Sequence, residues 1–364
     1  MRPKRNNITA FIQSLGGGGA QGVLVTIMNY YKSLGYDITI VVESMKNDVN
    51  SPNLDIDIHI FSMNVSSTKS ALKGTIDYIK KNAMDYVFAF SPEIAVNLYM
   101  ARLISRKKYI IIGRCINTLS IEYKQADTFF RKHISKNLVK LFYGKIDRVV
   151  VQADNMGRDL IENFNVAAKK VYVINNPLSV KYESIIDDEK IYKKEDYILY
   201  VGRLEKQKGL MMLIDAYSQI DDKQVELKLV GKGSMKAELM EYAEKKGLKE
   251  KIRFVDFTSN VEDYYKRARA TVMSSCYEGF PNVLSESIAC GTPVASFDLP
   301  SGPRDIVIEG INGYLAEYLN VDSLTEAINK TLSQNWNSLE VKNTARRFTR
   351  DRILEGYKRV LEGI

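Results

Sequence analysis

The chain has 364 residues, 45% hydrophobic and 26% charged, with only 8 prolines. A length well above the ~150 residues of one ordinary core predicts two domains that fold throughout, without a long disordered linker. Its 3 cysteines, Cys115, Cys276 and Cys290, have no metal-ligand spacing and make no even disulfide set. That excludes a disulfide-stapled secreted scaffold and points to a reducing, cytoplasmic compartment. The net charge of +8 is uneven: residues 1–176 hold 24 Lys and Arg against 14 Asp and Glu, and residues 177–364 hold 28 against 30. The surplus in the first half suits a phosphorylated ligand or an anionic membrane surface, and no nucleic-acid module accompanies it.

The basic segment Met1 to Asn7 precedes a short strand and a glycine run, not the apolar stretch of a signal peptide. No apolar run approaches the ~20 residues needed to cross a bilayer, so membrane contact is expected to be peripheral. Ile8 to Ile12 then reads as a strand, Gly16 to Gly19 break it, and Val23, Leu24, Ile27, Met28 and Tyr31 share one helix face before a strand at Ile38 to Val42. Gly17, Gly19 and Gly22 fit G-x-G-x-x-G, with Glu43 21 residues further on. That spelling leaves a dinucleotide-binding NAD-dependent oxidoreductase open as an alternative function.

Asp55 to Ile60 alternates as a strand with His59 on its solvated face. Asp55 and Asp57 spell D-x-D but have no further ligands nearby, so no metal site is expected. Strands at Tyr86 to Phe90, Tyr109 to Ile112, Arg148 to Val151 and Val171 to Ile174 alternate with helices, which predicts a mostly parallel, doubly wound sheet. Between them, Arg131 to Lys145 sets Ile134, Leu138, Leu141 and Phe142 among bases at helical spacing. This stripe is expected to pack on the domain core, although its lysines could also meet anionic lipid headgroups.

Asn175-Asn176-Pro177 and the polar stretch after it mark a linker. The predicted boundaries are residues 1–178 for a first Rossmann-like domain, 179–343 for a second, and 344–364 for a terminal helix packed toward the first. Strands at Tyr197 to Val201, Leu227 to Val230, Ile252 to Val255, Ala270 to Met273 and Val294 to Ser296 repeat the α/β pattern. The most specific stretch, Tyr277 to Glu286, follows a strand and opens a helix. Gly279 admits close backbone approach, Pro281 suits a first helical turn, and amides at a helix start attract a diphosphate. Glu278 and Glu286 add acceptors for hydroxyls, so the combination suits a sugar nucleotide.

Two glutamates with seven residues between them, the first followed by Gly279-Phe280-Pro281-Asn282, resemble the signature of family 4 glycosyltransferases. Gly202 to Gly209 resembles the donor-phosphate segment of that family, and Val230 to Gly233 its second glycine loop. Ser301 to Asp305 and Asn312 to Leu315 resemble its late loop and the turn that follows. The resemblance implies a GT-B fold, two Rossmann-like domains facing across a cleft, and a retaining hexosyl- or N-acetylhexosaminyltransferase. It implies that Arg203 and Lys208 neutralise the leaving diphosphate, that Glu278 holds the transferred sugar, and that Glu286 binds the ribose. Gly18, Gly19, Gly202, Gly231, Gly279, Phe280, Pro281 and Asn282 complete the donor site.

The donor is expected to be a UDP-sugar, used without a metal. The acceptor, on the first domain, is polyprenyl-diphosphate-linked or a saccharide, as in bacterial surface glycan synthesis at the inner membrane. Two departures touch the acceptor side. Gln21-Gly22 stands where the family often has Glu-Arg. Arg114 to Thr118 stands where many relatives carry a histidine, which makes Arg114 and Asn117 the substitutes and leaves His59 and His133 outside the site. A sugar-nucleotide epimerase or a non-catalytic binder of the same fold is the remaining alternative.

Overall fold

The computed structural model describes residues 7–364 other than 17, 47, 66, 67 and 127. Most of the basic N-terminal segment, and Gly17 of the dinucleotide-like spelling, therefore lie outside the described residues. The chain divides into two compact units, Met1–Pro177 with Asp351–Ile364, and Leu178–Arg350.

The first unit is built on seven parallel strands: β1 (Asn7–Ile12), β2 (Asp37–Val42), β3 (His59–Ser62), β4 (Tyr86–Ala89), β5 (Ile110–Arg114), β6 (Arg148–Val151) and β7 (Val171–Val173). Their order in the sheet is β3-β2-β1-β4-β5-β6-β7. Strand order reverses between β1 and β4, the place where doubly wound sheets open a crevice at their carboxyl ends. The central strands are apolar on both faces, as a sheet covered on both sides requires; β1, for example, buries Ile8 through Ile12. Helix Gly19–Ser33 buries Val23, Leu24, Ile27, Met28 and Tyr31, the face its sequence spacing predicts.

The second unit repeats the plan with β8 (Tyr197–Val201), β9 (Glu226–Val230), β10 (Ile252–Val255), β11 (Ala270–Met273), β12 (Val294–Phe297) and β13 (Gly313–Ala316), ordered β10-β9-β8-β11-β12-β13 and parallel throughout. Here the order reverses between β8 and β11.

Three sequence expectations are corrected. The strand expected over Asp55 to Ile60 begins only at His59, because the Asp55 carboxylate accepts from the amide of Asp57 at 3.0 Å and its carbonyl from that of Ile58 at 3.0 Å. This Asx turn outcompetes the alternating pattern and leaves Ile56 in solvent. The Asn312 to Leu315 turn is a turn only at Asn312; from Gly313 the chain is strand β13, paired with β12 from Val294↔Gly313 to Phe297↔Ala316. The terminal helix begins at Arg350, not Thr344. Residues before it form helix Ser338–Ala345, whose start is capped by the Asn337 side chain, and a 3-10 turn within the second unit.

Helix Arg350–Glu362 buries Ile353, Leu354, Tyr357, Val360 and Leu361 against the first unit's core. Tyr31 donates its hydroxyl to the carbonyl of Tyr357 at 2.8 Å, and Arg148 donates to the carbonyl of Leu361 at 2.8 Å, satisfying the last helical turn. The Tyr357 hydroxyl in turn accepts from Arg114 Nε at 3.1 Å. Replacing it by hydrogen leaves a buried guanidinium short of an acceptor. Tyr357→Phe is therefore expected to lower unfolding free energy by about 1–3 kcal/mol, read as a lower urea midpoint at unchanged slope.

Candidate active site

In the second sheet the loops leaving β8 and β11 are neighbours across the point of strand reversal, so the side chains they carry converge whatever their distance in sequence. Arg203 and Lys208 leave β8; Glu278 leaves β11. Lys208 Nζ forms an ion pair with Glu278 Oε1, and both side chains are largely shielded from solvent. Ser275 Oγ donates to the same carboxylate oxygen at 2.7 Å. Ser274 Oγ donates to the Lys208 carbonyl at 2.8 Å, so the lysine loop is tied to β11 by its backbone as well. Arg203 stays exposed, its Nη2 donating to Gln207 Oε1 at 3.1 Å, while Gln207 Nε2 donates to the Tyr277 carbonyl at 2.9 Å. A neutral glutamine thus links the guanidinium to the Glu278 loop, and the Glu205 carboxylate lies within electrostatic reach of it.

Two glycines permit this convergence. A Cβ on Gly231 would stand 1.8 Å from the Gly202 carbonyl oxygen, so the loops after β8 and β9 approach only because no side chain intervenes. Gly302 has φ +95°, and a Cβ there would lie 2.5 Å from the Gly279 carbonyl. Ser301 Oγ beside it donates to the Glu278 carbonyl at 2.8 Å, so the late loop buttresses the backbone that carries the glutamate. Glu205, which the sequence reading passed over, accepts from Ser234 N at 2.9 Å and Oγ at 2.7 Å. Those bonds, the backbone amide foremost, hold its carboxyl below the usual range and brace the first two loops together.

Helix Asn282–Ala289 starts one residue later than the sequence suggests, with Pro281 in the capping position and no side-chain hydrogen bond across the start. Pro281 has no amide to offer an anion. Phe280 turns its ring inward, edge-on to Phe348 at 5.3 Å, and fixes the loop from below. Glu286 does not join the Lys208–Glu278 pair. Its Oε2 accepts from Tyr265 Oη at 3.2 Å, and Tyr182 donates as well. Burial pushes its carboxyl up, opposed by these hydrogen bonds and by Lys181. Neither tyrosine was recognisable from sequence, because each lies far along the chain and reaches the helix only through packing.

The first unit presents its candidates separately. Gly18 and Gly19 are exposed at the end of β1, and Gln21 is half-buried in the first turn of the following helix. Gly22 lies inside that helix, not in a phosphate loop. Arg114 is 1% exposed; Asn176 Oδ1 accepts from Nη2, Tyr357 from Nε, and the Phe90 ring lies 5.6 Å from the guanidinium carbon. As an acceptor-contacting substitute for a histidine it is corrected: its contacts bind the terminal helix to β5. Asn117 hydrogen-bonds to Glu122 and remains half-buried. His59 is exposed on the edge strand β3, and His133 stacks on Phe129 at 4.6 Å. Among the described residues no group of three or more His, Cys, Asp or Glu is placed to hold a metal ion.

The fold defines an α/β protein of two Rossmann-like units, with the candidate site at the strand reversal of the second. Residues 181–350 match the family described as Glycosyl transferases group 1, and residues 17–182 match Glycosyltransferase Family 4. Among curated relatives, the Campylobacter jejuni N-acetylgalactosamine-N,N'-diacetylbacillosaminyl-diphospho-undecaprenol 4-alpha-N-acetylgalactosaminyltransferase is 30% identical over 92% of this chain and 93% of its own. The Erwinia amylovora amylovoran biosynthesis glycosyltransferase AmsD is 27% identical over 87% of each. The crystal structure of Anabaena HepE in complex with UDP-glucose shares the fold at a TM-score of 0.78 and 20% identity, covering 98% of this chain and 100% of that one. The chain belongs to glycosyltransferase family 4, has the GT-B fold, and is a glycosyltransferase. The oxidoreductase reading of Gly17 to Gly22 and Glu43 falls, since that stretch lies inside the family 4 match, and the epimerase reading falls with it.

Glu286 generates a test. Its folded carboxyl titrates above the unfolded value of about 4.3, so ionising it opposes folding; the cost is absent below that value and fully present above the raised one. Glu286→Gln keeps an acceptor for Tyr265 and removes the charge. The variant is expected to gain stability over the unaltered protein at pH 8 and to lose that gain by pH 4, measured by urea unfolding at both pH values.

Proposed function

We propose that this glycosyltransferase moves a hexose or N-acetylhexosamine from a UDP-sugar, with retention of configuration and without a metal. The acceptor is polyprenyl-diphosphate-linked or a saccharide, and the reaction takes place at the cytoplasmic face of the membrane that carries it. The observation that carries this reading is the Lys208–Glu278 pair with exposed Arg203 beside it, at the point of strand reversal. A diphosphate there meets a guanidinium able to bind two oxygens at once and an ammonium that can exchange its carboxylate partner for phosphate. As the glycosidic C–O bond breaks, negative charge grows on the departing phosphate oxygen, and both cations stabilise it more than they stabilise the intact donor.

Glu278, held by Ser275, then accepts from the hydroxyls of the sugar that is transferred, and Glu286 accepts from those of the ribose. The uncapped start of helix Asn282–Ala289, with Gly279 and Phe280 before it, offers amides to the phosphates, and Gly202 and Gly231 admit the nucleotide close to the backbone. Retention follows if the acceptor hydroxyl attacks the face the diphosphate leaves, passing its proton to the departing phosphate. Gly18 and Gly19, where the loop after β1 meets its helix, are assigned to the donor, and Gln21 and Asn117 to the acceptor side. The UDP-glucose complex of HepE and the undecaprenol-linked substrate named for the Campylobacter enzyme support these choices of donor and acceptor.

Arg203→Ala and Lys208→Ala are each expected to lower turnover by about 10²–10³-fold, the effect of losing one preorganised charge-stabilising group, with the circular dichroism spectrum unchanged. Consumption of labelled UDP-sugars in the presence of acceptor measures it, and near-normal turnover in both variants rules the assignment out. UDP, and neither GDP nor NAD, is expected to raise the melting temperature.

A further inference from the structure

Of the stripe expected to pack on the core, Phe142 does so, but Ile134, Leu138 and Leu141 face solvent. Residues Phe130–Ser135 form a π-helical turn that runs into helix Lys136–Phe142. Phe129 is 74% exposed, Phe130 48%, Ile134 44%, Leu138 43% and Leu141 61%. Phe130, Ile134, Leu138 and Leu141 recur at the three- and four-residue spacing of one helix face, so they form an exposed apolar ridge, with Phe129 beside it. The opposite side is bolted down: Val139 is in the core, Ser135 Oγ donates to Glu93 at 3.3 Å, Phe142 meets the Tyr99 ring at 6.0 Å, and Arg131 pairs with Glu122. The ridge is therefore a fixed feature of the first unit and not a frayed segment.

Charge selects what covers it. Lys132, Lys140 and Lys145 are exposed on this stretch and Lys136 partly so, and no Asp or Glu occurs from Thr128 through Ile146. A second copy of this chain docking through the same face would set these cations against their own images, which opposes a two-fold contact. An anionic bilayer supplies what the surface lacks: hydrocarbon for the apolar side chains and phosphate for the bases, the two signals that together give durable interfacial binding. No helix among the described residues is long and apolar enough to cross a membrane.

We propose that Phe129, Phe130, Ile134, Leu138 and Leu141 insert into the headgroup region of an anionic phospholipid bilayer, with Lys132, Lys136 and Lys140 on its phosphates. The inference deepens the proposed function by naming the surface that reaches the membrane, and its test is separable from that of the chemistry.

Sedimentation of the full chain with vesicles of phosphatidylglycerol and phosphatidylcholine, or of phosphatidylcholine alone, reads it directly. The unaltered protein is expected to bind the mixed vesicles at least ten times more tightly than the neutral ones, and less tightly as salt rises. Leu138→Glu with Leu141→Glu, and separately Lys132→Glu with Lys140→Glu, are expected to lose at least ten-fold in that binding while melting as the unaltered chain does. Their turnover on a soluble saccharide acceptor should stay within about two-fold of normal.

Equal binding to both vesicle types, or full binding by both variants, overturns the proposal, as does a dimer in solution that the leucine variant splits. Any of these results alongside normal soluble transfer removes the membrane surface and leaves the glycosyl-transfer reading standing. Loss of all transfer with lipid binding intact does the reverse.

Discussion

The site depends on an ammonium and a carboxylate sharing a nearly dry seam between two loops that are 70 residues apart. Desolvating such a pair costs several kcal/mol, which mutual attraction only roughly offsets, so the Lys208–Glu278 contact is a poor reason for the fold to be stable. It is better understood as a charge arrangement that the fold holds ready. The strand order supplies the means: β8 and β11 are sequence-distant yet adjacent, and every loop at their carboxyl ends is drawn to the same spot. Ser274, Ser275 and Ser301 then fix the loops with hydrogen bonds that carry no net charge. Under the proposed function, an incoming diphosphate meets cations whose positions are already determined, and the ordering cost is met in folding, not in binding.

Much of this was legible in sequence because two periodicities and a few glycines encode it. The β-branched runs of β1, β2 and β8 through β12 and the helix faces between them are local patterns, and parallel sheets bury such runs on both faces. The failures share a cause. At Asp55 a side-chain hydrogen bond to the backbone wins over alternation, and at Gly313 an edge strand of four residues is too short to show any. Burial was the harder quantity. Arg114 and Arg203 both stand at or just after the carboxyl end of a central strand, yet one is sealed beneath the terminal helix while the other is open to solvent. Nothing near Arg114 in sequence announces Tyr357, 243 residues away.

The same blindness governs the ridge from Phe129 to Leu141. Amphipathic spacing says that one face differs from the other, but it does not say which face the domain keeps. Helical stripes usually go inward because burial is favourable, and the expectation followed that rule. Here the anchoring is done by Val139, Phe142, Tyr143, Ser135 and Arg131, and Phe129, Phe130, Ile134, Leu138 and Leu141 are left outside. A domain that exposes five large apolar residues within one short stretch accepts an aggregation risk unless something covers them.

The two site glutamates illustrate how a protein keeps a carboxylate available. An arginine partner would neutralise it and occupy its oxygens; a tyrosine or serine hydroxyl orients it and leaves both its charge and most of its lone pairs free. Glu286 has Tyr265 and Tyr182, and Glu278 has Ser275 on an oxygen it shares with Lys208. The first arrangement carries a cost in the empty protein, because burial opposes ionisation and the two hydroxyls and the Lys181 charge offset it only in part. It is also the one suited to a ligand that brings hydroxyl donors of its own. Under the proposed function, a nucleotide sugar brings such donors at the ribose and at the sugar, one set for each glutamate.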